Sequence, residues 1–130
     1  MATHKRNFAS TSQIIGAADA YVTLSGTTES FSSDVDMATN GYEGAEVMVE
    51  INFDGTPTDD VDISFYGSLD GSAYDDVAFS VIRFDNGTDP NQQTFTIKDK
   101  AHFRVGAKQT GSTDSHDVRC YVKPWNWTDA

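Results

Sequence analysis

The chain has 130 residues, a formal net charge of −11 and one cysteine. This length fits one domain with its own core and is short for two. A chain of this acidity repels phosphate and anionic lipid, so nucleic acids and membrane surfaces are disfavoured as partners. Cys120 has no second cysteine with which to form an internal disulfide, and we expect it inside a strand as a small apolar residue.

The charge is unevenly distributed along the chain. Residues 7–82 contain fourteen acidic residues and no Lys or Arg. In residues 1–6 the charged residues are instead the basic pair Lys5 and Arg6. The acidic part predicts a cationic protein partner or a bound cation, or serves only to keep the chain soluble. No apolar run approaches the roughly 20 residues that cross a bilayer, and the first residues lack the apolar stretch of a signal peptide. We therefore expect neither membrane insertion nor export.

The first predicted element is an arm. Residues 1–19 are polar and small, apart from three large apolar side chains at Phe8, Ile14 and Ile15. We predict that these residues form an extended N-terminal arm that reaches a neighbouring molecule. The remaining residues, 20–130, are predicted to form one β-sandwich domain with a tryptophan-containing C-terminal tail.

Beyond the arm, the chain alternates apolar and polar residues with a period of two, which is typical of half-buried antiparallel strands. After two short candidate strands near residues 20–24 and 29–35, the predicted inward residues are Ala45, Val47, Val49, Ile51, Phe53, Val61, Ile63, Phe65, Val77, Phe79, Val81, Phe95, Ile97, Phe103, Val105, Val118, Cys120 and Val122. Turn residues separate these runs, and residues 98–101 (KDKA) are short enough for a hairpin. We predict an all-β fold, a single antiparallel β-sandwich of about eight strands with jelly-roll or immunoglobulin-like connectivity.

An aspartate-rich loop follows the second of these strong strands. Residues 66–79 read YGSLDGSAYDDVAF, in which the turn dipeptide Asp70-Gly71 explains the bend without any ligand. The alternative is a calcium site, because hard cations take oxygen ligands. Its candidate ligands are Asp59, Asp60, Asp70 and Asp75, with Asp54 and Asp62 nearby. The ligand spacing of an EF-hand is absent, so we expect no cofactor, with calcium as the alternative.

Two features of the sequence bear on function: the absence of catalytic motifs and the two tryptophans of the C-terminal tail. The sequence has no nucleophile elbow, phosphate loop or metal-binding histidine pair, so we expect no enzymatic activity. The tail YVKPWNWTDA contains two tryptophans that suit a plug over the sandwich, an anchor for a partner or a sugar-stacking platform. The predicted interface residues are Phe8, Ile14, Ile15, Trp125 and Trp127.

The segments DISFYGSLDGSAYDDVAF and FRVGAKQTGSTDSHDVRCYVKPW resemble small β-sandwich proteins of tailed-bacteriophage virions. Such proteins often have a strand that ends in a Gly-Ser-x-Asp-Gly turn, and they close on a strand that follows a Gly/Ser/Thr-rich turn. The resemblance implies a virion structural protein that is assembled in the host cytoplasm, either a capsid decoration (cement) protein or a tail or fibre attachment protein. Its implied partners are the major capsid protein and neighbouring copies or a homo-oligomer.

A carbohydrate-binding module is the alternative from another functional class. It would be a β-sandwich with exposed aromatic side chains that stack on sugars and with an optional structural calcium ion. The candidate stacking residues are Tyr66, Tyr74, Trp125 and Trp127.

Overall fold

A computed structural model describes residues 4–86 and 91–129, and the described part is all-β, with eleven strands in two antiparallel sheets. The strands are β1 (His4–Phe8), β2 (Ser12–Ile15), β3 (Val22–Thr23), β4 (Ser30–Phe31), β5 (Val35–Asp36), β6 (Gly44–Asn52), β7 (Val61–Ser68), β8 (Ser80–Phe84), β9 (Gln92–Lys98), β10 (His102–Gln109) and β11 (Asp117–Asp129). Within these two ranges no helix is both long and apolar enough to span a membrane.

The two sheets are built around the longest strands. Sheet A has six strands in the order β1-β11-β6-β9, and β2 and β3 also pair with β11. Sheet B has five strands in the order β4-β10-β7-β8, and β5 also pairs with β10. The predicted all-β architecture is confirmed. The described residues contain eleven strands rather than about eight, because five short strands lie in the segment before residue 37.

The core lies between the inward faces of the two sheets, as the alternation predicts. The inward side chains of β6, from Ala45 to Ile51, are fully buried, and so are those of Val61, Ile63 and Phe65 in β7. Each fully buried large apolar side chain contributes about 1.5–3 kcal/mol. Cys120 is buried among them, and this burial raises the pKa of its thiol, so the cysteine is protonated and unreactive at neutral pH.

The predicted extended arm is replaced by two strands. His4–Phe8 and Ser12–Ile15 both pair with β11, and residues 1–3 lie outside the described part. Ile14 and Ile15 are buried in the core, because the apolar pair of β2 closes one side of the sandwich. The amide of Ser33 donates a hydrogen bond to the carbonyl oxygen of Ile14 at 3.1 Å and joins this strand to the segment between β4 and β5.

The predicted orientation of β8 is wrong. The residues that we expected to face inward are Val77, Phe79 and Val81. They are instead exposed, at 79%, 38% and 59% respectively. The chain has apolar residues on both faces here. Because Ile82 pairs with the buried Ile63 of β7, Ile82 and Phe84 face the core.

The KDKA segment is not a hairpin. β9 pairs with β6 in sheet A, whereas β10 pairs with β7 in sheet B. The segment between Lys98 and His102 therefore carries the chain from one sheet to the other. Asp99 has a φ of +61°, which gives the tight change of direction that this crossing requires.

Candidate binding surface on the outer face of sheet A

β11 extends beyond the strand beside it and so builds a projection on sheet A. Its residues up to Trp125 pair with β6, where Trp125 lies opposite Gly44. From Asn126 to Asp129 it pairs with β1 alone. Because Cys120 and Val122 face the core, strand alternation directs Trp125 and Trp127 to the outer face. A two-stranded ribbon with aromatic side chains therefore projects at this edge.

Trp125 is fully buried although it lies on the outer face. Its ring covers Gly44, and a Cβ atom on Gly44 would lie 2.2 Å from Cζ2 of Trp125. The Arg6 guanidinium lies 4.4 Å from the centre of the same ring. Trp127 meets Trp125 edge to face, with ring centres 5.2 Å apart at 72°. Gly44, Arg6 and Trp127 thus enclose the Trp125 indole in a small apolar cluster that is separate from the sandwich core.

Exposed aromatic and cationic groups surround this buried ring. Phe8 is 45% exposed and Trp127 is 44% exposed. Lys123 places its Nζ 5.9 Å from the centre of the Phe8 ring. Such cation–π contacts contribute about 0.5–1 kcal/mol each at exposed sites. We call Arg6, Phe8, Lys123, Trp125 and Trp127 the aromatic–cation cluster.

An open groove continues from the cluster along the same face of the sheet. Its volume is about 340 Å³, and it is mainly apolar. It is lined by Thr11, Glu46, Met48, Thr94, Tyr121, Val122 and Lys123. Glu46 accepts hydrogen bonds from Arg6 at 3.2 Å and from Thr96 at 2.7 Å, so the groove and the cluster form one continuous surface.

A hydrogen-bonded group bounds the far end of the groove. Glu50 accepts hydrogen bonds from the Tyr21 hydroxyl at 2.6 Å and from Arg119 at 2.9 Å. These donors hold the pKa of the Glu50 carboxyl below its usual range, while the same contact raises the pKa of Tyr21. Tyr121 donates to Asp19 at 2.6 Å. The surface therefore has an apolar centre and a polar border, the arrangement found in protein interfaces.

The structure brings together three of the five predicted interface residues. Phe8, Trp125 and Trp127 are neighbours in the cluster, whereas Ile14 and Ile15 belong to the core and are not available to a partner. The roles of Arg6 and Lys123 were not predicted from the sequence. Their positive charge in a chain of net charge −11 is the feature that could have indicated them.

The four candidate metal ligands lie at opposite ends of β7. Asp59 and Asp60 precede this strand, and Asp70 and Asp75 follow it, so eight strand residues separate the two pairs by about 25 Å. Across residues 4–86 and 91–129, no group of three or more His, Cys, Asp or Glu side chains is placed to hold a metal ion.

Three of these carboxylates accept hydrogen bonds from backbone amides. Asp59 Oδ2 accepts from the amides of Thr113 and Asp114, both at 2.9 Å, and Asp60 accepts from the amide of Asn86 at 2.9 Å. Asp70 Oδ1 accepts from the amides of Ser72 and Ala73 at 2.8 and 2.9 Å, which lowers the pKa of Asp70. These contacts support the interpretation of the aspartate-rich loop as turn structure.

A buried histidine joins two loops at the Asp59 end of the sandwich. His116 lies immediately before β11, and its side chain is fully buried. Its Nδ1 accepts from the Asp54 amide at 3.0 Å, which assigns the proton to Nε2, and Nε2 then donates to the carbonyl oxygen of Asp59 at 2.8 Å. Asp114 Oδ2 accepts from the amides of Thr58 and Asp59, both at 2.6 Å, and these bonds hold the pKa of Asp114 below its usual range.

The four aromatic residues of the sugar-binding alternative are divided between the two sheets. Tyr66 and Tyr74 lie on the sheet B side, where their hydroxyls donate to Glu29 and Asp34 respectively. Burial and the contact with Asp34 raise the pKa of Tyr74 to about 12. The Arg104 guanidinium lies over the Tyr74 ring at 4.2 Å. These tyrosines and the tryptophans of sheet A do not form one platform.

Comparison with protein-family models finds no family that matches this chain, and no curated protein matches it. Among solved structures, the chain is similar to the Yersinia pseudotuberculosis-derived mitogen, with 10% sequence identity and a TM-score of 0.46 over 97% of this chain and 86% of the mitogen chain. A likeness of this size says nothing about function. The fold and the surface together define an all-β, two-sheet protein that presents aromatic and cationic side chains on the outside of one sheet.

Proposed function

We propose that the chain is a non-enzymatic virion structural protein, a decoration protein that binds the major capsid protein of a tailed bacteriophage and is assembled in the host cytoplasm. We also propose that its sandwich is a jelly roll. The short strands β1–β3 all pair with β11 and can be counted as one edge strand of sheet A, and β4 and β5 both pair with β10 and can be counted as one edge strand of sheet B. Each sheet then has four strands, eight in all. Strands that are consecutive in the chain then often lie in opposite sheets, which supports this connectivity. Jelly rolls occur in viral capsid proteins and in lectins.

The observation that carries the functional proposal is the composition of the outer face of sheet A. Protein interfaces are enriched in Trp, Tyr, Phe, Met and Arg, and their binding energy is concentrated in a few Trp, Tyr and Arg residues. Here Trp127 and Phe8 are nearly half exposed, and Arg6 is packed against the tryptophans. The neighbouring groove adds Met48 and Tyr121.

Charge supports a defined orientation on the shell. The aromatic–cation cluster contains Arg6 and Lys123, whereas residues 7–82 contain only acidic charges. Complementary potentials guide the encounter of two proteins and suppress wrong orientations. The cluster therefore fits an acidic patch on a capsid protein, while the acidic remainder of the chain is repelled from that patch.

Co-sedimentation with a shell tests the proposal. The probe is empty, expanded capsids of a tailed bacteriophage from which the decoration protein has been removed. We expect the wild type to sediment with the capsids at a fixed stoichiometry. The Phe8→Ala/Trp127→Ala double variant should bind at least about a hundredfold more weakly, since losses of 2 kcal/mol or more are typical at interface hot spots. Leu69→Ala is the control, because Leu69 is 91% exposed and lies in the loop after β7.

Two outcomes contradict the proposal. If the double variant binds as tightly as the wild type, the cluster is not the contact surface. If the wild type ignores capsids but binds a glycan array, and Trp127→Ala abolishes that binding, the protein is a carbohydrate-binding module. The division of its aromatic residues between two sheets gives that alternative less support.

A further inference from the structure

A second exposed apolar surface lies on the side of the sandwich opposite the aromatic–cation cluster. β1 and β9 are the two edges of sheet A, and β8 is the edge of sheet B beside β9, where Phe84 and Phe95 meet with ring centres 6.4 Å apart. Three of the exposed large apolar side chains lie in or just before β8: Val77, Phe79 and Val81. Strand alternation predicted all three to be buried.

The β8 edge has few of the features that protect sheet edges from pairing with other chains. Proteins usually protect such edges with charges, with proline or with very short strands. β1 contains Lys5 and Arg6, β9 contains two glutamines and Lys98, and β4 and β5 have only two residues each. In contrast, β8 has one charge, Arg83, which is already paired with Asp62, and residues 77–82 (VAFSVI) contain no charge, proline or glycine. Within the described part of the chain, no strand pairs with the outer edge of β8.

The segment that leads into this edge is held in place by the folded chain. The amides of Asp75 and Phe79 donate to the carbonyl oxygens of Gly67 and Phe65, both at 2.9 Å. Ser68 and Tyr74 form an additional antiparallel bridge. A partner would therefore meet an edge segment that is already held in place, which lowers the entropic cost of association.

We propose that the β8 edge pairs antiparallel with the β8 edge of a second copy of this chain, about a two-fold axis. This would join the two five-stranded B sheets and bury Val77, Phe79 and Val81 against their counterparts. In such an interface the same surface patch is used by both copies. The β8 edge is a different surface from the aromatic–cation cluster, so self-association and shell binding can each fail without the other.

The order of charges along the segment favours a second copy in this orientation. Asp75 and Asp76 precede the uncharged residues 77–82, and Arg83 follows them. Antiparallel self-pairing brings Arg83 of one copy towards the two aspartates of the other, whereas parallel pairing would place like charges together. Arg83 is already oriented by Asp62, through hydrogen bonds of 2.8 and 3.1 Å.

Sedimentation equilibrium of the isolated full chain tests the proposal. We expect a monomer–dimer equilibrium that tightens between about 50 and 500 mM NaCl, because salt screens the repulsion between two chains of charge −11. Val81→Lys should raise the dimer Kd by at least about tenfold, since it places a charge at the centre of the apolar interface. Thr27→Lys, at an exposed turn position, adds the same charge elsewhere and should leave the dimer intact.

A second variant and a second measurement test the dimer even if Val81→Lys fails to fold. Val77→Lys lies outside the regular strand and is expected to act in the same way. Amide hydrogen exchange in Ser80–Phe84 should slow as the protein concentration rises. A wild type that stays monomeric up to about 1 mM, or a dimer that both lysine variants leave unchanged, overturns the proposal. So does dimerisation without added protection of these amides.

Discussion

At the residue scale, Gly44 determines where the Trp125 ring can lie. A Cβ atom at this position would overlap the indole, so we expect Gly44→Ala to lower the free energy of unfolding by about 1–3 kcal/mol. It should also shift tryptophan fluorescence to longer wavelength, as Trp125 moves towards solvent. Gly55→Ala is the matched control, because a Cβ atom on Gly55 would meet no other atom within 4 Å. Equal unfolding midpoints for the two variants would contradict the packing described for Trp125.

Asp114 makes the free energy of unfolding decrease at low pH. Its pKa is lowered in the folded state by the amides of Asp59 and Thr58, so its stabilising effect is complete above the unfolded pKa of about 3.9 and is lost as the pH falls through the folded value. We expect urea midpoints to fall between about pH 5 and pH 2.5. Asp114→Asn should flatten this dependence, whereas Asp85→Asn, at an exposed position, should not. Parallel curves for the wild type and Asp114→Asn would rule out this role.

At the scale of elements, β1 and β2 have different tasks although both pair with β11. Deleting residues 1–8 removes β1 and one side of the aromatic–cation cluster, and we expect the remaining chain to fold. Deleting residues 1–19 also removes Ile14 and Ile15, and losses of about 2–5 kcal/mol for each such core side chain approach the total stability of a typical domain. Circular dichroism and urea unfolding distinguish the two truncations. Cooperative unfolding at the same midpoint would show that β2 does not close the core.

The same elements show what the sequence could predict. β6 was placed correctly because its apolar residues occupy one face only, from Ala45 to Ile51. In β8 both faces carry apolar residues, and only pairing with β7 selects Ile82 over Val81. The pairing of β1 depends on a strand more than a hundred residues later, so no local pattern could reveal it.

The candidate surface was predictable in part for a similar reason. The sequence shows that Phe8 and Trp127 are large aromatic residues in polar segments, but it does not show that they are neighbours. Their proximity depends on the register between β1 and β11. The burial of Trp125 on the outside of a sheet requires the missing side chain of Gly44, which the sequence shows only as one glycine among ten. The buried role of His116 depends on two loops that meet at one end of the sandwich.

At the scale of the whole molecule, the two proposed surfaces lie on opposite sides of the sandwich. The aromatic–cation cluster is at the β1 side of sheet A, and the β8 edge is at the side where sheets A and B end in β9 and β8. A copy bound to a shell through the cluster would therefore keep its β8 edge free for a neighbour. Contacts between neighbours on a symmetric particle add avidity without any new contact to the shell.

This arrangement predicts cooperative binding to the shell that depends on β8. Titration of empty capsids with the wild type should give a steeper isotherm than titration with Val81→Lys, and the midpoint should rise by about tenfold or more in the variant, because each copy then binds alone. The Thr27→Lys control should follow the wild type. Phe8→Ala/Trp127→Ala should instead weaken binding of the first copies. If the Val81→Lys and wild-type isotherms superimpose while the isolated wild type still dimerises, neighbouring copies on the shell do not meet through β8.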